Sequence, residues 1–153
     1  MAPRRRRQGG LMEDADRRPL GVTAFFAEMG ERFVDGRLEE MASVWSFPCP
    51  IEMDGQLVVM HDPGLFRDYL ADRRAAALAS GMTAMTPRIS AIEMPSRSRF
   101  RVWLRWLYHF GGHVEEANHG TVYFMAVAPD GCLRIEMMDL VQLPSDQSAA
   151  RIA

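Results

Sequence analysis

Two carboxylates and one thiol are the side chains of this sequence whose type and setting suit chemistry. Asp139 lies in the run L-R-I-E-M-M-D-L-V-Q-L. Under strand alternation Leu133, Ile135, Met137, Asp139, Val141 and Leu143 share one face, apolar except for the aspartate. A lone carboxylate on a core-facing stripe is costly unless it is paired, hydrogen-bonded or protonated, and that is the setting of a general acid or base. The competing assignment is a structural aspartate at a sheet edge, capping a backbone group or pairing with an arginine. Glu52, in S-F-P-C-P-I-E-M-D-G, is the other catalytic candidate. Alternation from Ile51 and Met53 turns Glu52 outward and Cys49 inward, which makes Cys49 a small buried apolar residue without an activating partner.

The stretch Y-H-F-G-G-H-V-E-E-A-N-H brings His109, His113 and His119 close to Glu115. A Gly-Gly turn sets these histidines diagonally across a hairpin, unlike the same-face i, i+4 pair of a helical zinc site. No metal and no cofactor is expected. There is no phosphate-binding loop, dinucleotide fingerprint or Ser-His-Asp pattern. All 18 basic residues are arginine, so Schiff-base and lysine general-base chemistry are excluded. The net charge of −2 gives no general reason to expect nucleic acid as a partner, and the Arg4–Arg7 run, offset by Glu13, Asp14 and Asp16, reads as a solvated tail. Cys49 and Cys132 have no C-x-x-C spacing and read as reduced thiols. No apolar run approaches the ~20 residues of a membrane span, and the cytoplasm is the expected location.

The elements that must position these groups follow from periodicity. Residues 1–18 read as a disordered basic arm, 19–144 as one domain and 145–153 as a flexible tail. Val22, Phe25, Phe26, Met29 and Phe33 recur at helical spacing, and Gly36 stops that helix. Leu38, Met41 and Trp45 mark a short second helix, which Pro48 and Pro50 end. A strand over 50–53, an Asp54-Gly55 turn and a return strand over 56–60 form a small hairpin. Asp62-Pro63 starts a third helix, with Phe66, Leu70 and Ala77 on its buried face and Gly81 at its end. Strands follow over 83–94, 98–110, 114–128 and 132–143, turned at Gly111-Gly112 and Asp130-Gly131. The expected class is α+β, with three N-terminal helices packed in a strongly curved mixed or antiparallel sheet.

With this order of elements, the chain resembles the nuclear transport factor 2-like superfamily, which includes the SnoaL-like cyclases and ketosteroid isomerases. The carriers are G-R-L-E-E-M-A-S-V-W-S-F-P-C-P-I-E, H-D-P-G-L-F-R-D-Y-L and V-A-P-D-G-C-L-R-I-E-M-M-D, within a match from about Leu20 to Leu143. The resemblance implies a cone-shaped domain with an internal pocket, and a fold that hosts catalytic and non-catalytic members alike. The isomerase general base corresponds to Met53, the oxyanion tyrosine to Met29 and its partner acid to Phe124 or Met125. Apolar residues there can neither abstract a proton nor hold an enolate, which argues against isomerase chemistry.

On this frame the expected pocket is lined by Phe26, Met29, Trp45, Met53, Tyr69, Trp106, Tyr108 and Tyr123. On strand 98–110, Phe100, Val102, Leu104, Trp106 and Tyr108 point toward the helices. Arg101, Trp103, Arg105 and Leu107 point outward, a composition found at protein interfaces, with Glu136 expected to pair with Arg101 or Arg105. The resemblance implies a homodimer through this convex face. The expected function is binding of a small, largely apolar molecule, with weak acid–base chemistry of the isomerase, dehydratase or cyclase kind at Asp139. The competing expectation is a non-catalytic homodimerising module whose cone is filled with side chains.

Overall fold

A computed structural model describes residues 21–53 and 55–142; the arm over 1–18, Asp54, Leu143 and the tail over 145–153 lie outside the described residues. Three helices, α1 (Val22–Asp35), α2 (Leu38–Ala42) and α3 (Pro63–Ala79), accompany seven strands: β1 (Cys49–Met53), β2 (Gln56–Met60), β3 (Ala84–Glu93), β4 (Arg99–Phe110), β5 (His113–Glu116), β6 (His119–Val127) and β7 (Leu133–Gln142). They form one sheet in the order β2-β1-β7-β6-β4-β3, with β5 also on β4. Every pairing is antiparallel except β1 with β7. This is the expected α+β class. No helix among the described residues is long and apolar enough to cross a membrane.

The helices form where the apolar spacing places them. α1 buries Phe25, Phe26, Met29, Gly30 and Phe33 on one face. Gly36 ends it with φ 78°, the left-handed conformation that relieves a helix terminus at no steric cost. The Arg74 guanidinium of α3 donates to the Val34 carbonyl at 3.0 and 3.1 Å, so a cation satisfies the α1 C-terminus and ties the two helices together. Asp62 caps α3 by accepting from the Leu65 N–H at 2.9 Å. Pro63 occupies the first turn, where its missing N–H leaves nothing unsatisfied. Trp45 lies beyond the end of the five-residue α2, where it is bridged to Ile135.

The sheet departs from a plain meander at three places. Ser90 is extra in β3, between Ile89 opposite Leu104 and Ala91 opposite Trp103. Glu136 is extra in β7, between Ile135 opposite Met125 and Met137 opposite Phe124. The expected strand over 114–128 is broken into β5 and β6: Leu107 faces Glu116 while Leu104 faces Thr121, so Ala117, Asn118 and their neighbours bulge. Bulges bend a strand and increase its twist, which curves the sheet around the helices. The inner layer holds Phe26, Met29, Ile51, Phe66, Val102, Leu104, Met125 and Ile135, each nearly inaccessible to solvent. Burial of one such side chain contributes about 1.5–3 kcal/mol.

Candidate functional site

The inner face of the sheet is not filled completely. A cavity of about 510 Å³ lies between α3 and the β3-β4-β6-β7 part of the sheet. From α3 come Phe66, Tyr69, Leu70, Arg73, Ala76 and Ala77, one helical face at i, i+3, i+4 and i+7 spacing. From β4 come Trp106, Tyr108 and Phe110; from β6, His119, Thr121 and Tyr123; from β7, Met138 and Leu140. Alternation places every second residue of each strand on the wall.

Of the residues expected to line a pocket, Trp45, Tyr69, Trp106, Tyr108 and Tyr123 do so. Phe26 and Met29 lie instead beneath the wall in the packed core, 0% and 2% exposed. The Phe26 ring supports Tyr123 at 4.8 Å and Trp106 at 6.4 Å. Met53, outside the lining set, accepts a hydrogen bond at Sδ from the Tyr69 hydroxyl at 3.4 Å. Arg73, Phe66, Met138 and Leu140 were missed, although Arg73 follows Tyr69 by one helical turn and shares its face.

The polar groups of the cavity are three phenols, two indoles and the side chains of Arg73, Asn118, His119 and Thr121. The Trp106 indole N–H donates to the Tyr123 hydroxyl oxygen at 3.0 Å, both groups being buried. Burial pushes the Tyr123 phenol well above its ordinary range, only partly offset by that hydrogen bond. Burial also raises Tyr108, against the lowering influence of Arg73. Arg73 is exposed at the rim, its guanidinium 5.6 Å from the centre of the Tyr69 ring. Among the described residues no aspartate or glutamate lines the cavity.

Asp139 occupies a different surface from the one its spacing suggests. The extra residue Glu136 reverses the alternation of β7. Leu133 and Ile135 face the core before it, and Met138 and Leu140 face the cavity after it. Met137, Asp139 and Val141 are thereby turned to the outer face, where Asp139 pairs in register with Val122. Glu52 also lies outward, as expected, and is the register partner of Asp139 on β1. Cys49 is fully buried, and burial pushes its thiol up to about 11.

The three histidines separate. His109 shares a 2.8 Å hydrogen bond with the Thr86 hydroxyl, His113 lies 3.1 Å from Glu115, and His119 enters the cavity wall.

On the outer face of β4, Arg101, Trp103, Arg105 and Leu107 project away from the core, with Trp103 opposite Val122. Glu136 pairs with Arg99, not with Arg101 or Arg105. Arg101 is taken by Glu93, its direct partner across β3–β4, and Arg105 by Glu116. The Trp103 indole N–H and the Arg101 Nε are buried without a partner among the described residues.

Comparison with protein-family models and with curated proteins gives no match. Solved structures are similar in fold. A domain of unknown function with a cystatin-like fold from Nostoc punctiforme matches with TM-score 0.62 at 10% identity, over 92% of this chain and 83% of that one. A nuclear transport factor 2-like protein with a cystatin-like fold from Novosphingobium aromaticivorans matches with TM-score 0.61 at 14% identity, over 92% and 88%. A candidate scytalone dehydratase from the same organism matches with TM-score 0.51 at 10% identity, over 74% and 75%. The chain therefore has the nuclear transport factor 2-like, cystatin-like fold.

Proposed function

We propose that the protein binds a small, largely apolar molecule in the cavity between α3 and the sheet. The observation that carries this reading is an unfilled space of about 510 Å³ walled by aromatic rings and methionines, with no carboxylate among the described residues of the wall. Such a volume lies within the range of small-molecule sites, about 300–1,000 Å³. It favours binding over a cone filled by its own side chains. Met41, Met82, Met85 and Met138 give the wall adaptable thioethers that follow different ligand shapes. Asp139 lies on the other face of the sheet, so the reading is one of binding, without acid–base chemistry at that residue.

The outer face supports a second part of the reading, a homodimer. Trp103 and Val122 are register partners there, beside Phe124 and Met137, and arginines flank them on β4. Trp and Arg are enriched at interface hot spots. The free thiols Cys49 and Cys132 fit a cytoplasmic setting.

N-phenyl-1-naphthylamine, a neutral apolar fluorophore, tests the binding reading. Saturable binding at one molecule per chain is expected, and its loss in Met138→Trp, which fills the cavity. No saturable binding to wild type, or binding unchanged by Met138→Trp, would remove the reading.

A further inference from the structure

Tyr123 carries a hydrogen-bond donor with no acceptor among the described residues. An indole N–H is a donor only, so in the 3.0 Å Trp106–Tyr123 bond the phenol oxygen must be the acceptor. The Tyr123 hydroxyl hydrogen is thereby directed elsewhere. It meets no acceptor among the described residues, since its one side-chain hydrogen bond is the one it accepts from Trp106. The side chain is 4% exposed and lines the cavity. Trp45, whose ring lies 6.1 Å from that of Tyr123, also lines the cavity, and its indole N–H is likewise buried without a partner among the described residues. Buried donors in native proteins are nearly always paired, so a partner for Tyr123 is to be sought in what enters the cavity.

The chemistry of that partner is constrained. It must present an acceptor atom to the part of the wall formed by the Trp45, Trp106 and Tyr123 rings. The deep wall offers neutral donors, and the cavity's arginine stays at the exposed rim. A neutral oxygen is accommodated beside Tyr123 without a counter-charge, whereas a buried anion is costly unless it is paired. Burial also keeps the phenol protonated over the physiological range, so it donates and does not act as a base.

We infer that the Tyr123 hydroxyl donates to a neutral carbonyl oxygen of the ligand, so that the cavity takes apolar ketones or quinones in preference to hydrocarbons of the same shape. This rests on the binding reading above and adds to it the ligand's polar group and its orientation, with the carbonyl toward Trp106 and Tyr123.

The test compares 9-fluorenone with fluorene, which share one skeleton with and without the carbonyl. Wild type is expected to bind fluorenone about ten-fold more tightly, the value of one net hydrogen bond. The infrared carbonyl stretch of bound fluorenone should lie below its position in a hydrocarbon solvent. In Tyr123→Phe both the preference and the shift should vanish while fluorene binding persists. Equal affinities with an unshifted stretch would overturn the inference and leave the binding reading standing. A shift that survives in Tyr123→Phe would overturn the assignment to Tyr123. Failure of both compounds to bind would overturn the binding reading together with the inference. Should Tyr123→Phe fail to fold, the stretch in wild type decides, an unshifted band being the overturning result.

Discussion

Glu52 and Asp139 are register partners on the parallel β1–β7 pair, on the sheet face opposite the cavity. Neither makes an ion pair or a side-chain hydrogen bond with another described residue. Like charges at paired sheet positions destabilise by a few tenths to about 1 kcal/mol. Asp139→Asn is therefore expected to raise the urea midpoint with the slope unchanged, by about 0.2–1 kcal/mol. A structural aspartate holding charged hydrogen bonds would instead lose about 1.5–3 kcal/mol, and such a loss would refute this placement.

Gly30 is a second position where geometry decides the sign. A Cβ added there would collide with the Met85 backbone carbonyl and touch the Trp106 ring at 3.3 Å. Gly30→Ala would gain about 1 kcal/mol of helix propensity, but overpacking against backbone costs about 1–3 kcal/mol. A net loss of up to about 2 kcal/mol in urea denaturation is expected. A stabilised variant would mean that α1 stands away from β3.

Alkaline pH gives an independent check on the interior. Burial raises the Cys49 thiol from 9.0 to about 11, and it raises Tyr108 and Tyr123 from 10.0. Between those values the unfolded chain ionises while the native one keeps its protons, so stability is full below pH 9 and falls as pH rises toward 11. The chain has no lysine, which removes the usual competing titration from this window. Urea midpoints at pH 8 and pH 10.5 should differ in that direction, and Cys49→Ala should lessen the fall. A flat profile would contradict the burial of these groups.

Assembly is tested at Trp103. Trp103→Glu places a charge at the centre of the proposed interface and should convert a dimeric wild type to monomer in sedimentation velocity. A wild type already monomeric, or a variant of unchanged mass, would remove the interface.

Much of the fold was legible because local signals agreed with one another. The apolar face of α1, the Gly36 stop, the Asp62-Pro63 start and the glycine turns each act over a few residues, where propensity and sterics decide. The alternation of β4 was equally direct, since its inner run from Phe100 to Tyr108 is unbroken. Asp139 was misplaced because one extra residue, Glu136, shifts the phase of β7, and a bulge has no signature in an alternating pattern until the partner strand is known. The break at Ala117 and Asn118 was hidden for the same reason. The cavity was half visible. The aromatic residues of β4 and β6 followed from alternation, whereas Phe26 and Met29 share the apolar character of the wall, and only packing places them beneath it.

The central claim, a ligand in the cavity, is tested most directly by a crystal structure of the protein with N-phenyl-1-naphthylamine. Density for the fluorophore between Tyr69 and Arg73 of α3 and Trp106, Tyr123 and Met138 of the sheet is the expected result. Density confined to the outer face around Trp103 and Val122, or a cavity closed by its own side chains, would contradict it.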